Sequence, residues 1–130
     1  MTSLFLNNYS LIFLGCGIGG VLRYVVSNSA HFLLGQTFPY GTLIVNVSGS
    51  FLMGLLFIII LERYGSLAPQ LRAFLLIGLL GGYTTFSSFS IETINLFEQG
   101  ALLKAFFNMG SNLILCVIAT GVGIILGRSL

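Results

Sequence analysis

The chain has no tryptophan, one histidine, two cysteines, two prolines and three acidic residues among 130. So few carboxylates leave little for hydrolytic acid–base chemistry, and nothing in the sequence resembles a nucleophile, base and orienting group. His31 stands alone, without the companion ligands a metal centre needs. Cys16 and Cys116 each lie inside an apolar run, which fits buried, inert thiols rather than a disulfide framework or a metal site. A net charge of +2, carried by scattered residues, argues against nucleic acid as a partner. Residues 1–8 carry no Lys or Arg, so the basic start of a cleaved leader is missing. The run Asn-Ser-Ala at 28–30 only loosely resembles a cleavage site, and Arg23 precedes it, so the first apolar run is expected to be retained.

What the chain has in abundance is apolar surface. It is 56% hydrophobic and 6% charged, with a mean hydropathy of +1.05, whereas a soluble domain carries about 25% charged residues. The composition points to an all-α integral membrane protein. Four spans can be drawn, at about 9–30, 40–61, 71–97 and 102–126, each near or above the ~20 residues that cross ~30 Å of hydrocarbon. The connections between them are short, which predicts a single four-helix domain over the whole chain.

Residues 78–90, Gly-Leu-Leu-Gly-Gly-Tyr-Thr-Thr-Phe-Ser-Ser-Phe-Ser, lie at membrane depth and yet invite a break near Gly81 and Gly82. Thr84, Thr85, Ser87, Ser88 and Ser90 crowd hydroxyls beside it. Broken backbone survives in hydrocarbon only where it is buried in protein or lines a wet cavity, so this stretch predicts a path for something small and polar. Asn46 and Ser50 share a helix face at i, i+4, and Lys104, Asn108, Asn112, Cys116 and Thr120 form a stripe at the same spacing. Amides and hydroxyls are neutral donors able to replace hydration without trapping an ion. Phe86 and Phe89, spaced i, i+3, add ring edges that are weakly positive, although such residues also serve as packing. Arg23 and Glu92 are ionisable groups in or near spans, which marks them as functional candidates, as snorkelling side chains or as a structural pair.

Gly15 and Gly19, Gly78 and Gly82, and Gly123 and Gly127 sit at the spacing that lets membrane helices approach closely. Basic residues are nearly balanced across an even number of spans, with Arg63, Arg72 and Arg128 on one side and Arg23 and Lys104 on the other. So weak a bias leaves open a single topology set by other details, and points further to dual topology, with copies inserting both ways and pairing antiparallel.

Three stretches together resemble the Fluc (CrcB-type) fluoride channels. They are Gly-Gly-Val-Leu-Arg-Tyr at 19–24; Gly-Thr-Leu-Ile-Val-Asn at 41–46, with Gly49, Phe51 and Gly54; and Gly-Gly-Tyr-Thr-Thr-Phe-Ser-Ser-Phe-Ser at 81–90, followed by Glu92. The resemblance implies a dual-topology homodimer in the cell (inner or plasma) membrane, surrounded by lipid, with two antiparallel pores that export fluoride passively and relieve its toxicity. It implies that Asn46 lines the pore, that Phe86 and Phe89 contact the anion, and that Thr85, Ser87, Ser88 and Ser90 belong to the hydroxyl-rich part of the motif. Arg23 matches an arginine near the wide vestibule and Glu92 the acid after the third-span motif. A central structural Na⁺ is implied at the broken third span, held by backbone carbonyls of Gly81 and Thr84 from both subunits.

The fourth span departs from the family pattern of Tyr, Ser and Ser. Its polar track reads either Lys104, Asn108, Asn112 or Asn108, Asn112, Cys116, and Lys104 would add a cation near one pore mouth. A competing reading is a four-span, proton-coupled multidrug exporter, which would want a buried carboxylate early in the chain, whereas no acid precedes Glu62. A purely structural subunit leaves the hydroxyl cluster without a purpose.

Overall fold

A computed structural model describes the backbone of residues 2–130 and the side chains from residue 7 onward. The described chain is helical throughout: α1 (Thr2–Leu34), α2 (Tyr40–Arg63), a 3₁₀ turn (Gly65–Leu67), α3 (Ala68–Leu71), a wide π-type segment (Arg72–Leu80), α4 (Gly81–Tyr83), α5 (Phe86–Glu98) and α6 (Leu102–Ser129). Four stretches are long and apolar enough to cross a membrane, namely Asn7–Leu34, Tyr40–Arg63, Gly65–Glu98 and Leu102–Ser129. Each runs past the limits set from hydropathy, because helices continue beyond the hydrocarbon until a turn stops them.

Two of those turns depend on glycine. Gly35 ends α1 at φ 85°, with its N–H donating to His31 O at 2.9 Å. Gly100 (φ 72°) ends α5 in a Schellman arrangement: its N–H donates to Phe97 O at 3.0 Å, and Ala101 N–H donates to Leu96 O at 2.9 Å. A side chain at either position would strain the left-handed backbone.

Lipid tails are as apolar as leucine, so membrane helices associate through close packing of small residues. The structure follows that rule. α1 packs chiefly on the π segment and α2 chiefly on α6. A Cβ built on Gly15 would lie 2.9 Å from Gly78 Cα, and one built on Gly82 would lie 2.6 Å from Cys16 O. On the other pair, a Cβ on Gly123 would come within 2.8 Å of Leu55 N. Successive contacts advance in the same direction along both helices, so the partners within each pair run parallel.

The apolar core is correspondingly thin, centred on Ile60, Leu76 and Leu80. Large side chains such as Phe13, Leu33 and Leu103 face outward, at 77% exposure or more. The cysteines correct the sequence reading. Cys16 is exposed on the protomer and Cys116 half-buried, because an apolar run in a membrane helix presents residues to lipid as readily as to the interior.

Candidate functional site: a polar seam between the second, third and fourth spans

Helix is interrupted at Thr84 (φ −81°, ψ 157°) and Thr85 (φ −152°, ψ 118°). The interruption expected near Gly81 therefore falls further along, since Gly81 itself is helical at φ −63°, ψ −39°. The competing demand on the glycines is packing, with Gly82 seated against the α1 backbone. The residues that stop and restart the helix are the threonines. Thr84 N–H and Thr84 Oγ1 both donate to Leu80 O, each at 2.9 Å, closing the end of α4. Thr85 then caps α5: its Oγ1 accepts from Ser88 N–H at 3.1 Å and donates to Ser88 Oγ at 3.1 Å. Ser87 Oγ lies 3.2 Å from the same hydroxyl.

The extended Thr85 is held by Asn46 from α2. Thr85 N–H donates to Asn46 Oδ1 at 2.9 Å, and Asn46 Nδ2 donates back to Thr85 O at 3.0 Å. One side-chain amide thus substitutes for the helix as partner of both backbone groups of Thr85. The chain of bonds continues into α6. Asn46 Nδ2 also donates to Asn112 Oδ1 at 3.1 Å; Asn112 Nδ2 donates to Asn108 Oδ1 and to Asn108 O, each at 3.0 Å. Asn108 Nδ2 donates to Thr93 Oγ1 at 2.9 Å, and Thr93 Oγ1 donates to Phe89 O at 2.7 Å. Asn108 is wholly buried, and Asn112, Thr93 and Thr85 are nearly so.

Beside this seam lies a groove of about 500 Å³ whose wall includes Asn46, Thr85, Phe86, Phe89, Asn112 and Cys116. The Phe86 and Phe89 rings are 5.2 Å apart and tilted by 56°. Phe86 is 78% exposed, so the protomer leaves this wall uncovered. Asn108 supports the groove from behind, while Asn112, Cys116 and Thr120 line it. Thr120 Oγ1 donates to Ser50 O at 3.1 Å and to Cys116 O at 2.9 Å.

The remaining sequence candidates lie away from the groove. Ser90 Oγ bonds Phe86 O along its own helix at 2.9 Å. Lys104 is exposed and donates to Thr37 O at 3.2 Å, in a second hollow shared with His31, Glu92 and Gln99. Along the fourth span, Asn108, Asn112 and Cys116 belong to the seam and groove, and Lys104 to this separate hollow. Arg23 is half-buried and reaches Thr84 O with Nη1 at 3.4 Å, beside the interruption. Glu92 is not its partner: Oε1 accepts from Thr42 Oγ1 at 2.7 Å, and Oε2 is buried without a hydrogen-bond partner. Thr42 and Thr93 were missed in the sequence. The readable signal for Thr93 is its place one turn after Phe89, where a threonine hydroxyl bonds the carbonyl four residues back.

Four apolar spans around a hydrogen-bonded amide seam define a multi-pass protein of the cell membrane. Residues 10–124 match the family described as CrcB-like protein, Camphor Resistance (CrcB). A relative from Coxiella burnetii is 56% identical over 123 residues, covering 95% of this chain and 99% of its own. One from Magnetococcus marinus is 48% identical over 116 residues, covering 88% and 93%. One from Methylococcus capsulatus is 50% identical over 119 residues, covering 92% of this chain and 52% of its own. All three are named fluoride-specific ion channel FluC, a transport name and not an enzyme name. The chain belongs to the CrcB-like family.

Proposed function

We propose that this protein is a fluoride-selective channel that lets fluoride leave the cell down its gradient, relieving toxicity, and that it works as an antiparallel, dual-topology homodimer. The observation that carries the reading is the groove itself, where Phe86 and Phe89 face a wall of amides and hydroxyls, in a chain whose relatives are named for fluoride. Fluoride holds water tightly, so a path must offer several closely spaced replacements. Ring edges do so directly, and polar side chains do so by exchanging an internal partner for the ion, without a fixed cation that would trap it. The groove is open on the Phe86 side, and a second copy supplies the missing wall. Near-balanced basic residues support insertion in both orientations.

A structural Na⁺ at the dimer centre is part of the proposal. Thr85 N–H turns to Asn46 and so does not return to the Gly81 carbonyl, and Gly81 is exposed on the protomer. Thr84 O lies past the end of α4, with Arg23 at a long 3.4 Å. Freed carbonyls at a helix C-terminal end suit a sodium ion, so the residues present fit it. Gly81 and Thr84 from two copies would hold the ion, which would neutralise their converging dipoles and lock the interface.

Efflux from liposomes containing the purified protein tests the reading, with fluoride and chloride compared side by side. Rapid fluoride loss with little chloride loss is expected. Absence of fluoride flux from folded, reconstituted protein would overturn it. No Asp or Glu precedes Glu62, so the multidrug-exporter reading is not carried forward.

A further inference from the structure

The peptide unit joining Thr84 to Thr85 is a rigid plane, trans like every described peptide bond of the chain. In a trans peptide the carbonyl and the N–H point in opposite directions. Thr85 N–H points at Asn46 Oδ1 on α2, at 2.9 Å. Thr84 O therefore points away from α2 and towards α1, where Arg23 Nη1 meets it at 3.4 Å. The residues on either side hold other parts of the chain. Thr84 is fastened before this plane, by its N–H and its hydroxyl on Leu80 O. Thr85 is fastened after it, by its hydroxyl on Ser88 N–H and by Asn46 Nδ2 on its carbonyl. Apart from the long contact with Arg23, the plane itself is held by the bond to Asn46 Oδ1, and Asn46 thereby clamps it.

The same bond governs a second carbonyl. Were the helix to continue, Thr85 N–H would return to Gly81 O, four residues back. It goes to Asn46 instead and so releases Gly81 O, on a residue exposed on the protomer. One acceptor atom on α2 thus accounts for both carbonyls assigned above to the sodium ion. Thr85 is buried, so its N–H has no water to turn to when that acceptor is lost. The acceptor its own helix would then offer is Gly81 O.

We infer that Asn46 is a positioning residue for the sodium site at the dimer centre as well as part of the groove wall. Its two ends divide the work. The oxygen fixes the Thr84–Thr85 plane, which frees one carbonyl and aims the other. The nitrogen is shared between Thr85 O and Asn112 Oδ1, on a residue that lines the groove. An anion that draws this nitrogen away leaves the bond at Oδ1 in place. The inference rests on the sodium reading for its functional half and on peptide geometry alone for its structural half.

The test uses the full-length protein in detergent. Its melting midpoint is followed as sodium replaces N-methylglucamine at constant ionic strength, and hydrogen exchange is measured without sodium in the peptide covering residues 84–88. Asn46→Leu keeps the volume and removes the acceptor, whereas Asn46→Asp keeps the acceptor. Wild type is expected to gain stability with sodium. Asn46→Leu is expected to need about fivefold more sodium for half the gain, the factor of one net hydrogen bond, and to exchange faster at 84–88. Asn46→Asp is expected to need no more sodium than wild type and to bring exchange back towards the wild-type rate. Equal sodium requirements in wild type and Asn46→Leu overturn the coupling. So does a requirement in Asn46→Asp raised as far as in Asn46→Leu, since the acceptor is retained. A wild-type sodium response in Asn46→Asp with exchange as fast as in Asn46→Leu also overturns it, because charge and not the fixed peptide would then hold the cation. If wild type gains nothing from sodium, the sodium reading falls and the functional half with it, while exchange still decides whether Asn46 holds the peptide. Should Asn46→Leu fail to fold, Asn46→Ala removes the acceptor without demanding a fit.

Discussion

Asn46→Asp is the most informative single change, because it alters two atoms' chemistry and almost no volume. The carboxylate still accepts from Thr85 N–H, the bond now 2.9 Å long. What was Nδ2 becomes an oxygen facing Thr85 O at 3.0 Å and Asn112 Oδ1 at 3.1 Å. Two donations are lost, and a buried acceptor left unpaired costs about 1–3 kcal/mol. Asn112 can rotate its amide to meet the new oxygen, but its own oxygen then faces Asn108 Oδ1 and Asn108 O, which moves the loss along the seam without removing it. The added charge acts as well. A carboxylate about 6 Å from an anion in the groove repels it by about 3 kcal/mol at an effective dielectric of about 20, or about a hundredfold in occupancy. Fluoride efflux from liposomes is expected to fall by about two orders of magnitude. Asn46→Ala, which breaks the clamp without adding charge, is expected to fall less. Folded Asn46→Asp protein with efflux within about twofold of wild type would refute both the clamp and the placement of the ion beside it.

The other predictions rest on separate features. Phe86→Ile should slow fluoride efflux while leaving the yield of folded protein nearly unchanged, because the protomer's own fold leaves that ring 78% exposed; a large loss of folded protein would mean that it is a packing residue. Gly82→Val should yield little folded protein, since its Cβ would meet Cys16 O at 2.6 Å and Cys16 Cα at 2.9 Å, backbone atoms that overpacking cannot push aside cheaply. Gly121→Ala, where a Cβ meets nothing within 4 Å, should be tolerated, and size-exclusion profiles of the two variants compare them directly. Lys104→Gln should lower the fluoride transport rate at low ionic strength only, because an exposed cation steers anions across a Debye length of ~10 Å at 0.1 M salt. A deficit that persists at high salt would place Lys104 on the path itself.

What could be read in the sequence follows the strength of the physical demand behind it. Four spans were legible because hydrocarbon imposes a minimum length on every crossing helix. The glycine pairs were legible because close approach requires small residues at helical spacing, and Gly15, Gly78, Gly82 and Gly123 do sit against neighbouring backbones. Asn108 and Asn112 announced themselves by four-residue spacing on an apolar helix.

The place of the interruption was harder to read, because glycine serves two purposes with one appearance. Gly81 and Gly82 look like helix breakers, yet the extended residues are Thr84 and Thr85. Their conformation depends on Asn46 being present on another helix to accept the orphaned N–H. A break in a membrane helix is thus decided by the distant group that satisfies it more than by the residue at the break. The same reasoning explains why Thr93 escaped notice. Its hydroxyl bonds its own helix, as an unremarkable threonine would, and its importance appears only when Asn108 arrives from α6 to donate to it. Roles built from single donors and acceptors on different helices leave no periodic trace, so they become readable only once the helices are packed.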